Sequence, residues 1–122
     1  MLLSHEQNIK DAFMIKKRVL DPKIVKEVKK YAANLREKHI PYERLIVFGS
    51  QAKGKAKKWS DIDICVVSKA FGKDYHTEMV NLMLASDDSD FIIEPHPYNP
   101  IDLQEKYDSL ASEIRKYGIT VV

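Results

Sequence analysis

Leu45-Ile-Val-Phe-Gly49-Ser50, ten intervening residues, and then Asp61-Ile-Asp63-Ile-Cys-Val-Val67 are the stretches whose reading decides the fold. Each is an apolar run of strand length. The first ends in Gly-Ser, and the second opens on two carboxylates one residue apart. Side chains alternate across a strand, so Asp61 and Asp63 project to one side while Ile62, Ile64 and Val66 turn to the other. Two carboxylates held that close repel unless a cation or a shared proton lies between them. Hard oxygen ligands of this kind suit Mg²⁺, which takes one or two carboxylates and completes its shell with water and substrate phosphates. Gly49 lets the backbone approach a phosphate, and N–H groups at a turn opening a helix, here at Gly49 and Ser50, form an anion site. The chemistry expected is therefore a metal with a nucleoside triphosphate. A purely structural reading competes with it, with Asp61 as a turn residue and Asp63 as a solvated strand position.

The spacing and flanking strands of Gly49-Ser50 and Asp61-Ile-Asp63 resemble those of the DNA polymerase β-type nucleotidyltransferases. The similarity is strongest to their smallest branch, the MNT-type minimal nucleotidyltransferases, and it runs from about Ile24 to the C-terminus. The resemblance implies a mixed sheet with the site residues on one exposed face, and a third acidic residue on a later strand. Glu94, in Phe91-Ile-Ile-Glu94-Pro95, takes that place, with Asp90 of the same strand parity as the alternative. It further implies two Mg²⁺ ions held by Asp61, Asp63 and Glu94, with ATP or another NTP bound over Gly49 and Ser50. The implied reaction moves a nucleoside monophosphate, AMP in the first instance, onto a hydroxyl acceptor. Larger relatives carry an additional acceptor domain, for which this chain leaves little room. The minimal branch implies instead a small helical HEPN-type partner protein, in a toxin–antitoxin pair where the nucleotidyltransferase is the antitoxin.

The rest of the chain organises around the two strands. Asp21-Pro22 reads as N-cap and first helical residue, and Ile24, Val25, Val28, Tyr31, Ala32 and Leu35 follow at helical spacing. His39-Ile-Pro41 ends that helix. Asp74 to Ala85 reads as a helix with Met79, Leu82 and Met83 inward, and Phe91 to Glu94 as a short strand stopped by Pro95. Asn99-Pro100 starts a final helix through Leu103, Tyr107, Leu110, Ala111 and Ile114, ended by Tyr117-Gly118 in the usual glycine manner. Ile119 to Val122 adds an edge strand. The expectation is a single α/β (α+β) domain spanning 1–122. It comprises an extra N-terminal helix within residues 1–20 and a core over 21–122, with a mixed sheet of about four strands and helices mainly on one face.

Composition fits one such domain, with 44% hydrophobic and 31% charged residues in 122. No apolar stretch approaches the ~20 residues that span a bilayer, and Met1-Leu-Leu-Ser-His-Glu-Gln7 lacks the order of a secretory signal. Cys65 is the single cysteine, so a reducing cytoplasm is the expected home, and a buried structural thiol is its expected role. The net charge of +2 hides an asymmetry: residues 1–60 carry 15 basic against 6 acidic residues, and residues 61–122 carry 5 against 12. The basic half, with Lys16, Lys17, Lys23, Lys26, Lys29 and Lys30 on helices, keeps a nucleic-acid-binding module open as an alternative. A second alternative is a catalytically weak nucleotide-binding antitoxin or regulatory subunit that acts by contact, and self-association into a homo-oligomer is also left open. His96, in Pro95-His96-Pro97, reads as a surface loop histidine, and Lys53, Lys55, Lys57 and Lys58 flank the phosphate turn.

Overall fold

The computed structural model of the protein describes residues 20–57, 60–87 and 91–122, and residues 1–19, on which the extra N-terminal helix is expected, lie outside them. Helix α1 (Pro22–Glu37) starts where the sequence demands it, with Asp21 Oδ1 accepting the Lys23 N–H at 2.8 Å and Pro22 in the first turn. Its buried stripe is Ile24, Val28, Tyr31, Ala32 and Leu35, and Lys23, Lys26, Lys29 and Lys30 occupy exposed positions. The helix closes by a Schellman turn that falls two residues before Pro41. The Ile40 N–H reaches the Leu35 carbonyl at 2.9 Å, the His39 N–H reaches that of Arg36 at 3.0 Å, and His39 takes the left-handed φ of 58°.

Strand β1 (Arg44–Phe48) pairs antiparallel with β2 (Ile62–Val67) in a register that sets Phe48 opposite Asp63. Both strands are buried over nearly their whole length, as the near-continuous apolar runs require. Helix α2 (Tyr75–Leu84) then carries the chain to β3 (Ile93–Tyr98), which lies parallel to β2, and β4 (Ile119–Thr120) pairs antiparallel with β1. The sheet order is β3-β2-β1-β4, a mixed four-stranded sheet. Helices α1 and α2 pack on one face, over Leu45, Val47, Ile62, Ile64 and Val66. Helix α3 (Ser109–Tyr117) and a 3-10 turn at Asp102–Gln104 cover Ile46, Cys65 and Val67 on the other.

Four expectations change. Strand β3 runs through Pro95 and Pro97 instead of stopping at Pro95. It is an edge strand, and the carbonyls of Ile92 and Tyr98 both accept from β2 and its continuation (Ile62 N–H at 2.8 Å, Ser68 N–H at 3.0 Å). Even-numbered residues therefore turn their polar groups to β2. The prolines fall at odd positions, where the missing N–H faces the free edge. Met83 points outward at 57% exposure, and Leu82 fills the core, its carbonyl taking the Tyr31 hydroxyl at 2.6 Å. The final helix divides in two because Asp108 adopts an extended conformation and caps α3, accepting the Ala111 N–H at 3.0 Å; Tyr107 is left 85% exposed. Gly118 is extended, not left-handed (φ −64°, ψ 143°). Glycine is needed there because a Cβ would run into the Ile114 carbonyl and the Ile46 side chain.

Candidate functional site

The register does the assembling. Asp63 sits between Phe48 on β1 and Glu94 on β3, and because β2 and β3 run parallel, Cys65 in turn sits beside His96. Residues 63, 65, 94 and 96 share one face of the sheet by strand alternation. Below, Cys65 is fully buried under α3, and burial pushes its thiol up to about 12, so it is inert packing. Above, beyond the end of α3's cover, Asp63, Glu94 and His96 converge, with one ligand atom from each lying within 4.8 Å of the others.

Glu94 feels the crowding most. Hydrogen bonding to Asp63 and then Asp61, partial burial, and the charges of the two aspartates raise its carboxyl to about 7. The three sequence-predicted carboxylates thus lie together, Asp61 and Asp63 both acting on Glu94. The tightest donor set, however, includes a residue the sequence reading put in a loop. His96 Nε2 stands 3.6 Å from Asp63 Oδ1, is buried, and has no hydrogen-bond partner among the described residues; its ring meets Phe48 edge-on at 5.1 Å. The signal for His96 was the same i, i+2 parity that picked out Asp61 and Asp63, hidden by reading Pro95 as a strand end. Asp90, the alternative third carboxylate, lies outside the described residues, as do Lys58 and Trp59.

At the end of β1, Gly49 has φ +73° and lies so close to Asp63 that a Cβ placed on it would collide with Asp63 Oδ2. Glycine is required on both counts. Residues 49–54 form one short turn, with the Lys53 N–H bonded to the Gly49 carbonyl at 3.1 Å and the Lys55 N–H to the Ser50 carbonyl at 2.9 Å. Gln51 Nε2 ties the turn to the Ser60 carbonyl at 3.3 Å, just ahead of Asp61. Of the flanking lysines, Lys53 is engaged by α3, 2.5 Å from Glu113 Oε1 and 4.9 Å from the centre of the Tyr117 ring. Lys55 and Lys57 are exposed.

The donor set suits a divalent cation. Carboxylates crowded enough to raise a proton affinity, beside a buried imidazole nitrogen with no partner, form a site that a positive charge would relieve. The glycine turn abuts that cluster, and no helix is long and apolar enough to cross a membrane among the described residues.

Three comparisons with known proteins bear on the chain. No curated protein sequence matches it significantly. Among solved structures, it is similar to a chain in the crystal structure of a toxin–antitoxin with AMP-PNP. That similarity has 23% identity and a TM-score of 0.49, over 77% of this chain and 71% of that one. The family model of the nucleotidyltransferase domain matches residues 22–117. That span holds α1 through α3 and every site residue named above, and the chain belongs to the nucleotidyltransferase domain family of the polymerase β-like superfamily.

Proposed function

We propose that this nucleotidyltransferase moves AMP from ATP onto a hydroxyl of a protein partner, with Asp61, Asp63 and Glu94 as the reacting site. The observation that carries the reading is the parallel register of Asp63 and Glu94, which sets the third carboxylate against the first two beside the Gly49 turn. Asp61, Asp63 and Glu94, with His96 adjoining, would hold Mg²⁺, which supplies charge neutralisation at the phosphates and lowers the pKa of a nearby hydroxyl. Gly49 and Ser50 present backbone to the triphosphate and orient its α-phosphorus toward the carboxylates. The acceptor oxygen bonds to the α-phosphorus as the bond from that phosphorus to its bridging oxygen breaks. Pyrophosphate leaves with the electron pair, and the hydroxyl proton passes to the Glu94 carboxylate.

The resemblance to the minimal branch supports an HEPN-type partner in a toxin–antitoxin pair, with the nucleotidyltransferase neutralising the toxin. The test is incubation with labelled NTPs and Mg²⁺, alone and with the product of the adjacent gene. Label from ATP on the partner is expected, and label on nothing in either mixture contradicts the reading. A second reading, an antitoxin that acts by contact alone, is favoured by one feature. Val80, Met83 and Leu84 on α2, and Ile92 ahead of β3, leave apolar side chains exposed.

A further inference from the structure

A cleft of about 310 Å³ lies along β3, between the start of α2 and the start of α3, and His96 is one of its walls. His96 also stands 3.6 Å from Asp63 through Nε2, so one residue borders both the cleft and the carboxylate cluster. Glu78, Asp102, Glu105 and Asp108 line it, and no lysine or arginine does among the described residues. Two of these anions are fixed in place by the fold. Glu78 accepts the N–H groups of Gly72, Lys73 and Asp74, and Asp108 caps α3 while accepting the Tyr98 hydroxyl at 2.9 Å. Asp102 and Glu105 are exposed. Beside them in the chain, Ile101 and Tyr107 stand 80% and 85% exposed, and Tyr75, another wall, is 61% exposed. Exposed aromatic and aliphatic groups beside a recess are the composition of a protein interface's apolar core.

Charge decides what the cleft takes. A triphosphate or a polynucleotide would meet four carboxylates and no lysine or arginine among the lining residues, Arg115 being engaged by the Leu103 and Glu105 carbonyls, so neither belongs there. A cationic chain meets complementary charge. Resting on the transfer reading above, we propose that this cleft is the acceptor subsite, and that the acceptor is a basic, hydroxyl-bearing protein segment. Its lysine or arginine side chains lie over Asp102 and Glu105 and its hydroxyl enters beside His96.

The test uses the full chain with Mg²⁺ and a non-hydrolysable ATP analogue. The probes are two labelled synthetic peptides of equal length containing serine, threonine and tyrosine, one with several arginines and lysines, the other with glutamine at those positions. Anisotropy should show the basic peptide binding at least about tenfold tighter, a preference shrinking toward parity at high salt. Asp102→Asn with Glu105→Gln should remove most of the preference while leaving the affinity for the Mg²⁺–nucleotide complex unchanged. Glu105→Gln alone, at an exposed position, should show a partial loss and guards against misfolding of the double variant. Equal binding of the two peptides, no binding of either, or an undiminished preference in the variants overturns the proposal. So does displacement of the basic peptide by an equimolar single-stranded oligonucleotide. Wild type that fails to bind Mg²⁺–nucleotide defeats the transfer reading instead, and the peptide comparison reports on the cleft separately.

Discussion

Gly49 lies against the Asp63 carboxylate, so any side chain added at Gly49 meets it. Gly49→Val adds a branched side chain at a left-handed φ and drives it into the Asp63 carboxylate. It should abolish nucleotide binding, whereas Ser50→Ala should weaken it by about 1 kcal/mol, the worth of one hydrogen bond. Calorimetric titration with Mg²⁺ and ATP compares the two, and equal tolerance would make the turn merely structural. Asp61→Asn with Asp63→Asn should lose the same affinity without loss of fold, seen as an unchanged circular dichroism spectrum. Glu94 gives a pH dependence. Its carboxyl is raised from 4.5 to about 7, chiefly by hydrogen bonding to Asp63 and Asp61, so between those values the folded chain keeps a proton the unfolded chain has lost. Its contribution to stability is full below the unfolded value and lost as pH rises through the folded one. The metal-free protein should therefore lose stability from about pH 5 to pH 7, and Glu94→Gln should flatten that slope in urea melts. A slope unchanged in Glu94→Gln would remove Glu94 from the cluster.

At the scale of elements, Asp108 joins β3 to α3 through the Tyr98 hydroxyl and the Ala111 N–H. Asp108→Ala removes an N-cap and a cross-element bond together, and should lower the urea-derived stability by about 1–2 kcal/mol. A change under a few tenths would mean that α3 is held by packing alone. How far these elements were legible in the sequence depends on how local their causes are. The start of α1 is written in Asp21-Pro22, and β1 and β2 in their apolar runs. The facing of Asp61 and Asp63 follows from strand parity. Strand β3 was cut short because Pro95 reads as a stop, and only its place at the sheet edge makes two prolines tolerable. His96 was lost with the end of that strand. The division before α3 escaped because Arg115 pins the preceding turn through the Leu103 carbonyl at 2.5 Å, a bond spanning twelve residues.

In the whole molecule, α1 and α2 seal one face of the sheet, while α3 seals only the lower part of the other. The uncovered upper part holds the carboxylates, the glycine turn and His96, and it adjoins a cleft of negative charge. That division places the acidic second half of the chain around the carboxylate cluster and leaves the α1 lysines on a solvated helix face. The most direct test of the account is the intact mass of the adjacent gene's product after incubation with ATP, Mg²⁺ and either wild type or Glu94→Gln. Wild type should add AMP to the partner, and Glu94→Gln should bind ATP but transfer at a rate lowered at least about a hundredfold, the scale of a lost acid–base group. A partner neutralised by both proteins with no mass added by either would contradict the account and leave contact as the function.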